Sequence, residues 1–182
     1  MIKEIEIPLN IRQVALALHL AGHEAYFVGG CVRDLILGIV PKDYDITTNA
    51  TPEQIMALFP RTFYENSYGT VGVVTVKDEE TDPEIVRNSI VEVTPYRIES
   101  QYTDGRHPDS VKWSSELADD LGRRDFTCNA IAYNPINLEL VDLYDGIKDI
   151  KDKTIRAVGE PDKRFAEDAL RILRAIRFSA QL

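Results

Sequence analysis

The pattern of apolar and polar residues predicts alternating helices and strands early in the chain and paired strands after them. In residues 11–21 the apolar side chains recur at helical spacing and stop at Gly22, which is typical of an amphipathic helix. Thr51-Pro52-Glu53-Gln54 is typical of a helix start, because a Thr N-cap, a Pro at N1 and a Gln at N3 coincide. The rest of the pattern predicts strands over 25–28, 43–47, 68–76, 90–94 and 138–141, and helices over 31–37, 116–133 (broken around 122–125) and 161–182.

This order of elements predicts an α/β (α+β) fold, in which a mixed sheet has helices on one face and a helical extension begins at about residue 147. The charged stretch 77–87 is typical of a hairpin loop. Residues 99–115 form a long polar connection, and long connections in compact domains are often functional. The helix over 161–182 has no stop signal, so we expect the chain to be a piece of a longer protein.

Composition and charge exclude several classes of protein. The chain has 182 residues, 44% hydrophobic and 28% charged, which is ordinary for about one globular domain. Its net charge of −9 argues against a general nucleic-acid-coating surface, although it allows a local basic strip. Cys31 and Cys128 are far apart and lack CxxC spacing, so we expect buried thiols. No apolar run has the length of a membrane span and no signal peptide opens the chain, so we expect a cytoplasmic protein.

Residues 26–46 combine two features that favour nucleotide chemistry. Gly29-Gly30 lie between the predicted strand and the next helix, where the backbone can approach a phosphate closely. Arg33 can reach the same phosphate, or else it pairs with Asp34 or Glu24. Asp43 and Asp45 are two residues apart on a predicted strand, so they share a face and can hold divalent cations. The alternative is that both acids only face solvent.

A third carboxylate and a pair of arginines are further candidates for the nucleotide site. If Val91 and Val93 face the core, Glu92 faces the other side, and on a neighbouring strand it would converge with Asp43 and Asp45. Three like charges are costly together unless cations neutralise them. In the stretch 123–130, Arg123 and Arg124 can clamp phosphates or sugar. Alternatively, this stretch is a helix start with Asp125 as its N-cap.

The last predicted helix places Arg164, Asp168 and Arg171 within about 60° of one another. A carboxylate and an Arg fork can match the Watson–Crick edge of cytosine or adenine, whereas uracil and guanine present a carbonyl to the carboxylate. The alternative is an intrahelical salt bridge between Asp168 and Arg171. Arg174 and Arg177 continue the basic run toward phosphates or solvent. The opposite side is apolar and is expected to be packed: Phe165, Ala169, Ile172, Leu173 and Ile176.

Taken together, these stretches resemble the family of class II CCA-adding enzymes and bacterial poly(A) polymerases, tRNA nucleotidyltransferases of the DNA polymerase β superfamily. The resemblance covers nearly the whole chain, and five motifs in the same order make it specific. The motifs are Gly29-Gly30-Cys31-Val32-Arg33-Asp34, Asp43-Tyr44-Asp45, Glu92 in Val-Glu-Val-Thr, Arg123-Arg124-Asp125-Phe126-Thr127-Cys128-Asn129-Ala130 and Glu167-Asp168-Ala169-Leu170-Arg171-Ile172-Leu173-Arg174.

The resemblance implies a role for each candidate residue. Asp43 and Asp45 would hold two Mg²⁺ ions, with Glu92 as the third catalytic carboxylate. The implied nucleotide-binding residues are Gly29, Gly30 and Arg33 for the triphosphate, Arg124, Asp125 and Asn129 for sugar and phosphates, Asp168 and Arg171 for the base, and Arg174 and Arg177 to complete the pocket. The stretch Asp104-Gly105-Arg106-His107-Pro108 looks like the family's flexible loop, which is linked to switching from C to A addition.

The implied activity is template-independent addition of C and A, from CTP and ATP, to the 3′ end of tRNA. A poly(A) polymerase or A-adding enzyme with the same pocket is the nearer alternative, and a non-catalytic nucleotide-binding or RNA-interaction module is the more distant one. The resemblance also implies a nucleotidyltransferase head over residues 1–146 and the start of a helical neck over 147–182. The family's tRNA-gripping body and tail are absent, so weak tRNA affinity is expected of this chain.

Overall fold

The computed structural model describes residues 7–65, 68–76 and 79–182. In chain order, its strands are β1 (Ala25–Val28), β2 (Tyr44–Thr48), β3 (Thr62–Tyr64), β4 (Val71–Val74), β5 (Ile90–Pro95), β6 (Arg97–Glu99), β7 (Val111–Trp113), β8 (Ile131–Tyr133) and β9 (Leu140–Asp142). The helices are α1 (Leu9–Leu20), α2 (Gly30–Ile36), α3 (Pro52–Leu58), α4 (Pro83–Asn88), α5 (Leu117–Gly122), α6 (Gly146–Lys151), α7 (Pro161–Glu167) and α8 (Leu170–Ser179), with a 3₁₀ turn at Thr127–Asn129.

A seven-stranded mixed sheet forms the centre of the molecule, with strand order β3-β4-β5-β2-β1-β8-β9. Strands β2 and β5 pair in parallel, and the other neighbours in this sheet are antiparallel. Strands β6 and β7 form a separate antiparallel hairpin. The predicted mixed sheet with helices is therefore confirmed.

The main core lies on the face of the sheet that α1 and α3 cover. Leu18, Phe27, Ile46, Ile55 and Val93 are fully buried there. A strand directs alternate side chains to opposite faces, so the residues between these core positions lie on the other face. There a small cluster joins the β1 end of the sheet to α5, built from Val28, Leu121 and Ala132. The β2–β5 part of that second face presents polar residues instead.

Several local predictions are confirmed. Strand β1 has the predicted bounds. Helix α1 ends before Gly22, whose φ of 87° lies in the left-handed region that glycine tolerates. Thr51 forms the predicted capping box, accepting from Gln54 N while the Gln54 side chain accepts from Thr51 N. Cys31 and Cys128 are buried and free.

Three stretches differ from the prediction. The stretch 77–87 contains helix α4, because Asp82 caps it and Pro83 starts it; Lys77 and Asp78 lie outside the described residues. The edge strand β3 was not predicted. In the stretch predicted as helix over 116–133, α5 ends at Gly122, where the break was predicted, but the last three residues form β8, next to the edge strand β9. Residues 131–133 are all buried, so the sheet on both sides decides their conformation.

The single helix predicted over 161–182 is also wrong. Asp168 is extended (φ −144°, ψ 108°) and separates α7 from α8. Its carboxylate accepts from Leu170 N at 2.9 Å, while Ala169 N donates to Gly105 O at 3.1 Å instead of continuing the helix. The expected apolar packing is only partial, because Ile172, Leu173 and Ile176 are 51–64% exposed.

In the part of the chain that the structure describes, no helix combines the length and apolar character needed to span a membrane.

Candidate active site

Asp45 and Glu92 lie side by side on the second face of the sheet. They are register partners in the parallel pair of β2 and β5. Their neighbours in sequence, Ile46, Val91 and Val93, are fully buried in the core on the opposite face. Alternation along each strand therefore fixes both carboxylates on the polar face, on adjacent strands about 4.8 Å apart.

Asp43 does not lie on the strand with Asp45. Strand β2 begins at Tyr44, and Asp43 is exposed in the bend that precedes it. The three carboxylates are therefore grouped less closely than they would be if Asp43 and Asp45 shared a strand. Within the described ranges, no three His, Cys, Asp or Glu side chains are already grouped closely enough to hold a metal ion. Asp43 still acts on the other two acids through its charge.

The charge of Asp43 contributes to the pKa of both Asp45 and Glu92. Burial raises the pKa of Asp45, and the charge of Asp43 raises it further, while Arg124 opposes the shift. The pKa of Glu92 is raised to about 7, first by partial loss of water and then by the charges of Asp45, Glu65 and Asp43. Ionising these neighbouring carboxylates is unfavourable, because they are partly desolvated and repel one another. A divalent cation bound by their oxygens would remove this repulsion, so they are suitable metal ligands.

Gly29 and Arg124 border the acid pair on the β1 side. Gly29 has a φ of 79°, and a Cβ built on it would lie 3.1 Å from Nη1 of Arg124 and 3.7 Å from Oδ2 of Asp45. Nη2 of Arg124 donates to the buried Asp120 at 2.9 Å. Among the described residues, Nε of Arg124 is the buried side-chain donor that lacks a hydrogen-bond partner. An anionic ligand would satisfy it.

A chain of hydrogen bonds connects four of the other predicted site residues. Arg33, 6% exposed, donates to Asn129 Oδ1 at 2.7 Å and pairs with Asp34 at 2.7 Å. Asn129 donates to Asp125 Oδ1 at 3.2 Å, and Arg174 donates to Asp125 Oδ2 at 2.7 Å. The structure therefore brings α2, the 3₁₀ turn and α8 together through these side chains. Of the two roles predicted for Arg33, the structure shows the pairing with Asp34; the predicted contact with a phosphate stays a prediction.

An open pocket of about 540 Å³ lies between α2, the start of β2 and the end of α8. Of the predicted residues, Gly30, Arg33, Asp43, Asp45 and Arg177 line it. Its floor includes Phe178, whose ring has three guanidinium groups within 4.8–5.2 Å of its centre, from Arg33, Arg174 and Arg177. The pocket thus brings the carboxylates of Asp43 and Asp45 together with the guanidinium groups of Arg33 and Arg177. Carboxylates that can bind a cation and guanidinium groups that can bind phosphate are both suited to a metal-bound polyphosphate.

The predicted pair of Asp168 and Arg171 is not formed. The carboxylate of Asp168 caps Leu170 N, as the break between α7 and α8 requires. Arg171, 6% exposed, instead forms a close ion pair with Glu167 and donates to Arg164 O. Its guanidinium also lies 5.7 Å from the ring centre of Tyr102. Neither residue lines the pocket described above.

Three residues that shape the site were not predicted from the sequence. Asp120 is fully buried and binds both Arg123 and Arg124. Its spacing of three and four residues before these arginines was a usable signal. The role of Phe178 was not predicted, because it depends partly on Arg33 of the distant helix α2. Lys42 also lines the pocket, next to Asp43.

Comparison with known proteins shows which proteins this chain resembles. The model of the "Poly A polymerase head domain" family matches residues 25–156. The chain is 50% identical over 163 residues to a CCA-adding enzyme of Leuconostoc citreum, covering 89% of this chain and 38% of that protein. It is 44% identical over 186 residues to a CCA-adding enzyme of Lactobacillus helveticus, covering 100% of this chain and 44% of the relative.

Solved structures are similar as well. The Bacillus stearothermophilus CCA-adding enzyme in complex with CTP matches with a TM-score of 0.77 and 39% identity, over 94% of this chain and 39% of that one. The Thermotoga maritima CCA-adding enzyme complexed with tRNA-CCA matches with a TM-score of 0.73 and 27% identity, over 98% of this chain and 39% of that one. The chain spans about two fifths of the length of the relatives it matches.

Proposed function

Because the chain belongs to the family of poly A polymerase head domains, we propose that it is the catalytic head of a CCA-adding tRNA nucleotidyltransferase. The reaction is the template-independent addition of C and A, from CTP and ATP, to the 3′ end of tRNA, with release of pyrophosphate. One observation carries the proposal above all. Asp45 and Glu92 lie paired on one face of the sheet, and Asp45 lines a pocket that Arg33 and Arg177 also line.

The acid pair fits divalent cations. Burial raises the pKa of Asp45 and of Glu92, and the charge of Asp43 raises both further. We propose that these three acids hold Mg²⁺. Bound there, the ions supply charge neutralisation at the α-phosphate and lower the pKa of the attacking tRNA 3′-OH.

The triphosphate is assigned to the β1 side of the acids. Gly29 and Gly30 leave room for it, and Arg33 and Arg124 provide positive charge on either side. The unpaired Nε of Arg124 points to a further acceptor at this wall. Asp125 and Asn129 hold Arg33 and Arg174 in place and are assigned to the sugar and phosphates. Preorganised donors of this kind stabilise charge that develops in phosphoryl transfer.

Base selection is assigned to Asp168 and Arg171, with Arg174 and Arg177 completing the pocket. The peptide of Leu170 orients the Asp168 carboxylate, and Glu167 orients the Arg171 fork. A carboxylate and a guanidinium provide the acceptor and donor that cytosine and adenine share on the Watson–Crick edge. For this role, Arg171 must release its ion pair with Glu167 and donate hydrogen bonds to the base instead.

The relatives favour CCA addition over A addition alone. Those compared above carry the name CCA-adding enzyme, and structural neighbours of that name were solved with CTP and with ATP. The proposal includes tRNA as partner, a cytoplasmic location, a head over 1–146 and the start of a neck over 147–182. Weak tRNA affinity of the isolated chain remains part of it.

A direct test supplies labelled CTP and ATP, with Mg²⁺, to the protein and a tRNA that lacks its CCA end. CTP incorporation followed by a single A is the expected result. Tailing with ATP alone would assign the protein to poly(A) polymerases or A-adding enzymes instead. Mg²⁺-dependent nucleotide binding without any turnover would favour the non-catalytic module.

A further inference from the structure

One cross-strand row of the sheet aligns an aromatic ring with the acid pair. The register places Asp45 beside Glu92, Glu92 beside Gly72, and Gly72 beside Phe63. Directly paired residues share a face of the sheet, so these four positions form one line across β2, β5, β4 and β3. Phe63 therefore lies on the face of the acids, and the residue between it and Glu92 has no side chain.

The ring of Phe63 fills the space that this missing side chain leaves. A Cβ built on Gly72 would lie 2.4 Å from Cζ of Phe63 and 2.8 Å from Cε1 and Cε2. Directly opposed Cβ positions on neighbouring strands are about 5 Å apart, so the ring reaches the position next to Glu92. Phe63 nevertheless keeps 38% of its surface exposed. A flat apolar surface therefore lies open beside the acid pair, supported by the backbone of β4.

The geometry of phosphoryl transfer indicates that the acceptor RNA lies on this surface. Gly29 and Arg124 border Asp45 from the β1 side, where the triphosphate is assigned. In-line displacement at phosphorus places the attacking hydroxyl opposite the leaving pyrophosphate. The sheet order continues from β2 through β5 and β4 to β3, so the side opposite β1 is the side of Phe63.

We propose that the ring of Phe63 is a stacking platform for the 3′-terminal nucleotide of the RNA acceptor, and so positions its 3′-OH at Asp45 and Glu92. This inference rests on the proposed function. Stacking on an aromatic ring tolerates different bases, because every base has a π face. Such a contact suits an acceptor whose terminal base changes as addition proceeds. The position of the ring also requires Gly72, since any side chain there would displace the ring.

The test measures KM for acceptor tRNA and for CTP separately, on the protein with tRNA lacking its CCA end. Phe63→Leu retains apolar bulk but not the aromatic face, and we expect it to raise the KM for tRNA about fivefold or more with the KM for CTP unchanged. Phe63→Trp should restore the wild-type value. Gly72→Ala should act as Phe63→Leu does, because its Cβ forces the ring away.

Tyr64→Ala is the matched control, an exposed aromatic residue on the same strand whose side chain alternates to the other face; both KM values should stay unchanged. An unchanged KM for tRNA in Phe63→Leu, or a rise confined to the KM for CTP, would overturn the inference. If the wild-type protein incorporates no nucleotide at all, the proposed function fails instead, so the two failures are distinguishable.

Discussion

Asp45 and Glu92 are register partners in the parallel pair of β2 and β5, and burial together with the charge of Asp45 raises the pKa of Glu92 to about 7. Two buried strands hold these carboxylates against their mutual repulsion. The arrangement costs stability without a cation and becomes favourable with one.

The first prediction concerns the stability of the metal-free protein as pH changes. The folded state raises the pKa of Glu92 from its usual 4.5 to about 7, so it binds a proton that the unfolded chain releases. The resulting stabilisation is complete below about pH 4.5 and is lost as pH rises through about 7. In EDTA, the Tm of the wild type should therefore fall relative to that of Glu92→Gln between about pH 4.5 and 7. Parallel Tm curves over this range would contradict the assigned shift.

Divalent cations should reverse that effect. At about pH 8 the acids are ionised, and we expect millimolar Mg²⁺ to raise the Tm by about 2–4 °C, since a ligand that binds only the folded state stabilises it. The increase should shrink at about pH 5.5, where Glu92 is protonated. In Asp45→Asn it should disappear at both pH values, and an undiminished increase there would place the cation elsewhere.

How far the sequence predicts the fold depends on the range of the interactions involved. The capping box of Thr51 joins residues three positions apart, and the bounds of β1 are marked locally by its apolar run and the glycines that follow it; both were predicted correctly. The break at Asp168 depends partly on Gly105, more than sixty positions earlier, which accepts from Ala169 N. Between Pro161 and the end of the chain no glycine or second proline marks that break, so local propensity favours an unbroken helix.

Arg124 provides a prediction about nucleotide affinity. Arg124→Lys keeps the positive charge but removes Nε and the planar fork, so we expect the KM for CTP to rise about tenfold through the loss of one charge-assisted hydrogen bond. Arg156→Lys is a suitable control, because Arg156 pairs with Asp149 and does not line the described pocket. Equal KM values for CTP in Arg124→Lys and the wild type would remove Arg124 from the nucleotide site.

Base selectivity tests the role of Arg171. Arg171→Ala removes the donor half of the proposed base reader, and we expect incorporation of UTP and GTP to rise relative to CTP and ATP in a four-nucleotide competition. Asp162→Ala, an exposed acid at the start of α7, should leave the ratio unchanged. If Arg171→Ala lowers only the Tm and keeps the nucleotide ratio, the pairing of Arg171 with Glu167 is its whole role.

In the site, the sequence indicates which residues have a chemical role, but it does not indicate which residues they pair with. The face of Glu92 follows from the buried Val91 and Val93 on either side, and alternation alone predicts it. The partners of the arginines do not follow in this way, because a guanidinium reaches acceptors on several elements. Arg171 accordingly selects Glu167 rather than Asp168, and Arg174 reaches Asp125 on a distant segment.

The most direct test of the central claim is CTP incorporation into tRNA lacking its CCA end, in Mg²⁺, by Asp43→Ala/Asp45→Ala protein. We predict that incorporation falls by at least about a thousandfold while the Tm in EDTA is maintained or raised, because the double variant removes the proposed metal ligands and their mutual repulsion. Incorporation at a rate close to that of the wild type would contradict the assignment of these acids as the catalytic centre.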